Sequence, residues 1–233
     1  MGNNDGFKIV SVSKVYHRGA DETNIFDNLN MEIPNGLFLA LMGPSGSGKT
    51  TLLNLLAGVD RPSSGQILFA GQRIDDMPQA RMSEWRARNV GFIFQSYNLL
   101  PMLSAEQNVS LPLSLMRMAS TERKRRVASA LDLVGLAPRA KHMPSQLSGG
   151  EQQRVAIARA IVGDAPVLLC DEPTGNLDRA VASEVLELLR DLNRELGKTI
   201  VMVTHDQRAA GYATLGMQLD KGRFVDMPLS VVA

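Results

Sequence analysis

Cysteine is almost absent: Cys170 stands alone among 233 residues, which excludes an intramolecular disulfide and suits a reducing compartment. An excess of charge of one sign is missing too. The 25 Lys and Arg nearly balance the 24 Asp and Glu, for a formal net charge of +1. Domains that grip a polyanion are usually strongly basic, so no nucleic-acid partner is expected. The cluster Arg123-Lys124-Arg125-Arg126 reads as one solvated helix face. No apolar run approaches the ~18–20 residues that a membrane-crossing helix needs. The opening Met1-Gly2-Asn3-Asn4-Asp5 lacks the basic-then-apolar order of a signal peptide. The expectation is a cytoplasmic protein with no direct membrane insertion, any link to a membrane coming through a partner. Internal repeats and low-complexity linkers are also lacking, so residues 1–233 read as a single domain large enough for a sizeable core.

What is present, 44% hydrophobic and 21% charged residues, is ordinary globular composition. Alternating apolar residues over Phe7–Val15 and Leu29–Ile33 point to an antiparallel β region at the start. The polar stretch His17–Asn24 reads as the loop between them. An apolar run, Leu37–Met42, enters a glycine-rich loop, and Thr50–Ala57 leaves it as a helix. Gly65–Ile74 reads as a hairpin around Ala70-Gly71, and Val90–Phe94 as a buried strand. The section from about Ser104 to Ala137, rich in Leu, Met, Arg and Ala at helical spacing, reads as a helical subdomain. A long helix is expected from Ser148 to Val162, stopped by Gly163-Asp164-Ala165-Pro166. A strand Val167–Cys170, a helix Ala180–Leu196, a strand Thr199–Val203 and two weaker strands, Leu215–Leu219 and Arg223–Asp226, complete the chain. The order implies a mainly parallel sheet wrapped by helices, with a β layer at the N-terminus and a helical insertion in the middle. The core with its β layer would take about 1–95 and 165–233, and the helical subdomain about 96–164.

The glycine-rich loop is Gly43-Pro44-Ser45-Gly46-Ser47-Gly48-Lys49-Thr50-Thr51. A triphosphate needs many hydrogen-bond donors without steric obstruction, and successive backbone N–H groups before a helix N-terminus supply them. Lys49 would reach the β- and γ-phosphates, and the Thr50 hydroxyl would ligate Mg²⁺. The second element, Val167-Leu168-Leu169-Cys170-Asp171-Glu172, is an apolar strand ending in two carboxylates, where open α/β sheets collect ligands. Asp171 is placed to hold Mg²⁺, and Glu172 to polarise a water for in-line attack on the γ-phosphorus. No Asn-Lys-x-Asp run for guanine follows the loop, which disfavours a GTPase.

With these elements the chain resembles the ATP-binding-cassette (ABC) ATPases over nearly its whole length. Leu147-Ser148-Gly149-Gly150-Glu151-Gln152 resembles the family's signature segment. Tyr16 matches the aromatic that stacks on adenine, Gln95 the glutamine at the junction with the helical subdomain, Asn176-Leu177-Asp178 the loop after the catalytic glutamate, and His205 the switch histidine. The wording of Leu41–Asn54, Pro144–Ala160 and Asp171–Asp178 is similar to the class that serves lipoprotein-releasing and macrolide-exporting complexes. Gln107 departs from that pattern, standing where a glutamate is expected, and Tyr212–Met217 lacks the charged residues usual there.

The resemblance implies a P-loop α/β fold with a RecA-like, mainly parallel sheet core, an N-terminal antiparallel β subdomain and a helical insertion. It implies that Glu172, His205, Gln95 and Lys49 are catalytic. Tyr16, Gly43, Pro44, Ser45, Gly46, Ser47, Gly48, Lys49, Thr50 and Thr51 would bind ATP, with Thr50, Gln95 and Asp171 around Mg²⁺. It further implies a homodimer in which Ser148, Gly149 and Gly150 touch nucleotide held by the other copy, and an integral membrane permease as partner, reached through Tyr97–Pro112. A non-transport regulator of cell-envelope or division machinery would share every one of these residues.

Overall fold

The computed structural model describes residues 6–19 and 21–226; the segment Met1–Asp5 lies outside them. The chain opens with β1 (Phe7–Arg18) and β2 (Asp21–Ile33), then β3 (Phe38–Met42), α1 (Lys49–Leu56), β4 (Ser64–Phe69), β5 (Gln72–Arg73), α2 (Gln79–Asn89) and β6 (Val90–Phe94). A helical stretch follows: α3 (Ala105–Ser110), a 3₁₀ turn (Leu111–Leu115), α4 (Ser120–Leu133) and α5 (Gly149–Ile161). The remainder is β7 (Val167–Asp171), α6 (Arg179–Leu196), β8 (Thr199–Val203), the short α7 (Gln207–Ala210), β9 (Leu215–Asp220) and β10 (Arg223–Asp226).

Two sheets result. One is antiparallel, in the order β2-β1-β4-β5; the other has the order β10-β9-β3-β8-β7-β6, parallel throughout except for the β9–β10 pair. Strands β3 and β8 are buried at every residue, as expected of a sheet covered on both faces. Successive side chains of a strand point to opposite faces, and the two hydrophobic clusters divide accordingly. Phe38, Ala40, Met42, Leu168, Cys170, Ile200 and Met202 pack with the helices α3 to α6. Leu39, Leu41, Leu169, Val201 and Val203 pack with α1, α2 and the antiparallel sheet. The fold is therefore the α/β arrangement expected, with a mainly parallel core, an N-terminal β layer and helices inserted between β6 and β7.

Two local readings are corrected. The stretch His17–Asn24 is not a loop: Tyr16 pairs with Thr23, His17 with Glu22 and Arg18 with Asp21. The ribbon's end is exposed along residues 21–24, so its side chains carry no apolar alternation although its backbone pairs. Helix α2 was not anticipated. Only Met82 and Trp85 of its eleven residues are buried, too few for a clear periodic signal. The Ala70-Gly71 hairpin is present, with both residues at positive φ, 49° and 75°, as a two-residue turn of the primed kind requires.

Gln107 finds a local reason. The Ser104 hydroxyl oxygen accepts from the Gln107 N–H at 3.3 Å, and the Gln107 side-chain oxygen accepts from the Ser104 N–H at 2.8 Å. This capping box at the start of α3 is satisfied by glutamine as well as by glutamate.

Candidate active site

Strand register assembles the site. Leu41 of β3 pairs with Val203 of β8, Val203 with Asp171 of β7, and Asp171 with Phe94 of β6. Four adjacent parallel strands thus end at one level. The residues just past them emerge side by side: the loop from Gly43, then Thr204-His205, then Glu172, then Gln95.

The loop closes tightly. Gly43 has φ 149°, and a Cβ there would lie 2.1 Å from the Leu219 carbonyl oxygen; one on Gly48, at φ 101°, would lie 2.8 Å from the Ile25 side chain. Pro44, Ser45 and Gly46 are exposed, while Ser47, Gly48 and Lys49 are buried. The Lys49 ammonium donates to the carbonyls of Gly43 and Pro44 at 2.8 and 2.9 Å, which holds a positive charge within the loop's curve. Thr50, the second residue of α1, donates from Oγ1 to Asp171 Oδ2 at 3.4 Å.

Asp171 is partly buried. Burial first, then the neighbouring Glu172 carboxylate, holds its carboxyl above the usual range, against the Thr50 hydrogen bond and the Lys49 charge. Glu172 has a left-handed backbone, φ 48°; its N–H donates to the Val203 carbonyl and its own carbonyl accepts from the Gly175 N–H, both at 3.0 Å. His205 Nδ1 stands 3.1 Å from Glu172 Oε2. Gln95 reaches across to the loop after Glu172: its Nε2 donates to Asn176 Oδ1, and Asn176 Nδ2 donates back to the Gln95 carbonyl, both at 3.1 Å.

Tyr16 lies near the end of β1, 40% exposed. Its hydroxyl donates to Asp60 Oδ2 at 2.6 Å. The Lys14 ammonium, bound to Asp60 Oδ1 at 2.7 Å, sits 4.5 Å from the ring centroid. Burial first, then the Asp60 hydrogen bond, raises the phenol above its ordinary value, while the nearby Thr51 opposes the shift.

Ser148 caps α5: its Oγ accepts from the Glu151 N–H at 3.2 Å, and Glu151 Oε2 accepts from the Ser148 N–H at 2.8 Å. Its own hydroxyl proton stays available for an acceptor. Among the described residues, none of the hydrogen bonds of Ser148 reaches the phosphate loop of the same chain. The two glycines after it are positions of close packing. A Cβ on Gly149 would lie 2.9 Å from the Tyr97 hydroxyl, and one on buried Gly150 only 2.3 Å from Val181 Cγ1.

Several supporting residues went unread in the sequence. Asp60 and Lys14 fix Tyr16 without any local pattern to mark them. Arg159, near the end of α5, donates to the carbonyls of Tyr97 and Asn98 at 2.7 and 2.5 Å, both residues with positive φ. Gln153 lies in the buried stripe of α5 formed with Gly150, Ile157 and Ala160. A polar residue inside such a stripe was a readable signal.

The chain has relatives of known family. A family model described as ABC transporter matches residues 26–175. The lipoprotein-releasing system ATP-binding protein LolD of Oleidesulfovibrio alaskensis is 44% identical over 94% of this chain and 95% of its own. The macrolide export ATP-binding/permease protein MacB of Hyphomonas neptunium is 41% identical over 94% of this chain, which spans only 34% of that protein. The dimeric, post-hydrolysis state of the ATP-binding cassette MJ0796 of Methanocaldococcus jannaschii, bound to ADP and Pi, is 38% identical with a TM-score of 0.87, covering 96% of this chain and 98% of its own. The chain belongs to the ABC transporter family and is an ATPase of its ATP-binding-cassette kind.

Proposed function

We propose that this chain is the ATP-hydrolysing subunit of a membrane complex, two copies closing head to tail around two Mg·ATP to drive a separate transmembrane partner. The observation that carries the reading is the gathering of the Gly43–Thr50 loop, Asp171, Glu172 and His205 at the C-terminal edge of the parallel sheet. The signature serine makes its side-chain hydrogen bond within its own helix. In this arrangement the loop N–H groups and Lys49 bind the phosphates, and Tyr16 stacks on the base with Thr51 beside it. Glu172 accepts a proton from the water that attacks the γ-phosphorus. The bond from that phosphorus to the bridging oxygen breaks, leaving ADP and phosphate. His205 donates to a γ-phosphate oxygen. Ser148, with the first-turn N–H groups of Gly149 and Gly150, meets the γ-phosphate held by the other copy.

The donor set fits Mg²⁺. Two oxygen ligands of an octahedral cation at ~2.1 Å stand roughly 3 Å apart, and Thr50 Oγ1 lies 3.4 Å from Asp171 Oδ2. The described residues gather no group of three or more His, Cys, Asp or Glu, so phosphate oxygens would complete the shell, the usual arrangement for this ion. Thr50, Asp171 and Gln95 would hold it, and bound there it would neutralise charge on the β- and γ-phosphates.

The names of the relatives support the membrane partner, and so does the surface. No helix among the described residues is long and apolar enough to cross a membrane. The helical segment presents Met102 at 67% and Leu115 at 76% exposure, and a cavity of about 830 Å³ lies between α3 and α4. Closure that depends on the γ-phosphate makes differential contacts between ATP and ADP states, which is what can move a partner.

Mixing a Lys49→Ala chain with a Ser148→Arg chain tests the composite site. Each variant alone should be inactive, while the mixture should recover ATPase activity, because one interface per mixed dimer keeps both an intact loop and an intact serine. No recovery despite demonstrated pairing would overturn the head-to-tail arrangement.

A further inference from the structure

We propose that Gln153 is a positioning residue for Glu172, joining the signature helix to the catalytic peptide; this rests on the role given to Glu172 above. Its side chain is fully buried in α5. Nε2 donates to the carbonyl oxygen of Pro173, the residue after Glu172, at 2.6 Å. Oε1 has no hydrogen-bond partner among the described residues. A glutamine kept in a core for packing alone would have both ends satisfied or be replaced by an apolar residue. Here only the donor is engaged, and it is engaged with the backbone beside the catalytic carboxylate.

That backbone needs holding. Glu172 sits at φ 48°, a left-handed conformation that a side chain with a Cβ rarely adopts, and the following proline narrows its choices further. Such a conformation persists only where the surroundings over-determine it. Three hydrogen bonds do so. The Glu172 N–H is tied to Val203 of β8, the Glu172 carbonyl to Gly175 within the loop, and the Pro173 carbonyl to Gln153. The first two belong to the sheet and to the loop itself. The third alone comes from the helix that begins at Ser148.

The helix end is fastened to the same loop by packing. Leu177 Cδ2 lies 3.6 Å from the position of a Cβ on Gly149, and Gly150 packs against Val181 in the first turn of α6. Gln153 is one turn along from Gly149, so a shift of the Ser148 tip is carried by a rigid helix to the Pro173 carbonyl. The orientation of Glu172 in one site is thereby tied to the position of the signature segment that addresses the other.

The test is a double-mutant cycle with Gln153→Met, which keeps length and burial and removes the donor. The expected result is a fall in kcat of about ten- to a hundredfold, the scale of a small misplacement of a catalytic group. KM for ATP and the melting temperature should stay near those of the parent. In a Glu172→Gln background the same substitution should cost nothing further, because Gln153 acts through Glu172. Gln153→Glu, which sets an acceptor against the Pro173 carbonyl, should lower kcat at least as much and serves if the methionine variant is unstable. An unchanged kcat, or an equal proportional loss in the Glu172→Gln background, would overturn the proposal. Light scattering of the Glu172→Gln chain with ATP reports the composite dimer separately. Its failure to dimerise, with the Gln153 effect intact, would sink the head-to-tail reading and leave this one standing.

Discussion

His205 Nδ1 lies 3.1 Å from Glu172 Oε2 although the two residues belong to different strand ends. The contact follows from register: Asp171 pairs with Val203, so one residue past β7 and two past β8 fall beside each other. The glutamate is three-quarters covered and the imidazole largely exposed, with side-chain exposures of 25% and 70%. The carboxylate is therefore the more confined of the two side chains, while the exposed imidazole has room to turn.

Glu172→Gln should keep ATP binding and slow hydrolysis by ~10²–10⁴, the usual contribution of a general base. The amide keeps the shape of the carboxylate and loses its basicity, so the loss belongs to the proton transfer. ATP should accumulate a dimer in this variant, visible by size-exclusion chromatography. A steady-state ATPase rate equal to the parent's would remove Glu172 from the mechanism.

His205→Ala should lower kcat by roughly 10²-fold with little change in KM, as loss of one donor to a developing charge does. Combined with Glu172→Gln it should add far less than its single effect, since residues acting as a unit are not additive. Full additivity in single-turnover measurements would mean that the 3.1 Å contact has no part in the chemistry.

How much of this was legible beforehand depended on whether the signal was local. The phosphate loop, the apolar strand before Asp171 and the capped start of α5 are contiguous in sequence, and each was placed within a residue or two. Residues 17–18 and 21–24 do not read as strand because an exposed ribbon pairs through its backbone and leaves no alternation in its side chains. Helix α2 carries only two buried residues and gave too little periodicity to register. The reciprocal bonds between Gln95 and Asn176, 81 positions apart, exist only once β6 lies beside β7. The same holds for Asp60, whose tie to Tyr16 spans 44 positions.

Tyr16→Ala should raise KM for ATP by about 5- to 150-fold, the ~1–3 kcal/mol of a base stacked on an aromatic ring. Stacking tolerates any base, so KM for GTP should rise in proportion. The ring is aimed by Asp60 and faced by the Lys14 ammonium, and Asp60→Ala should reproduce a smaller part of the same KM change with kcat preserved. Nucleotide binding that is indifferent to Tyr16→Ala in equilibrium titration would show that the base lies elsewhere.

Gly150 separates packing from contact with a neighbour's nucleotide. A Cβ there would stand 2.3 Å from Val181 Cγ1, an overlap of the kind that costs about 1–3 kcal/mol, so Gly150→Ala should lower the melting temperature by several degrees at roughly 2–4 °C per kcal/mol for a chain of this size. In a Val181→Ala background the obstructing methyl is gone and alanine suits a helix better than glycine by up to ~1 kcal/mol. There Gly150→Ala should be neutral or stabilising, and ATPase activity should return with the stability. A melting temperature still depressed in the double variant would refute the packing explanation. A stable double variant without ATPase activity would instead place the glycine's requirement at the other copy's phosphate.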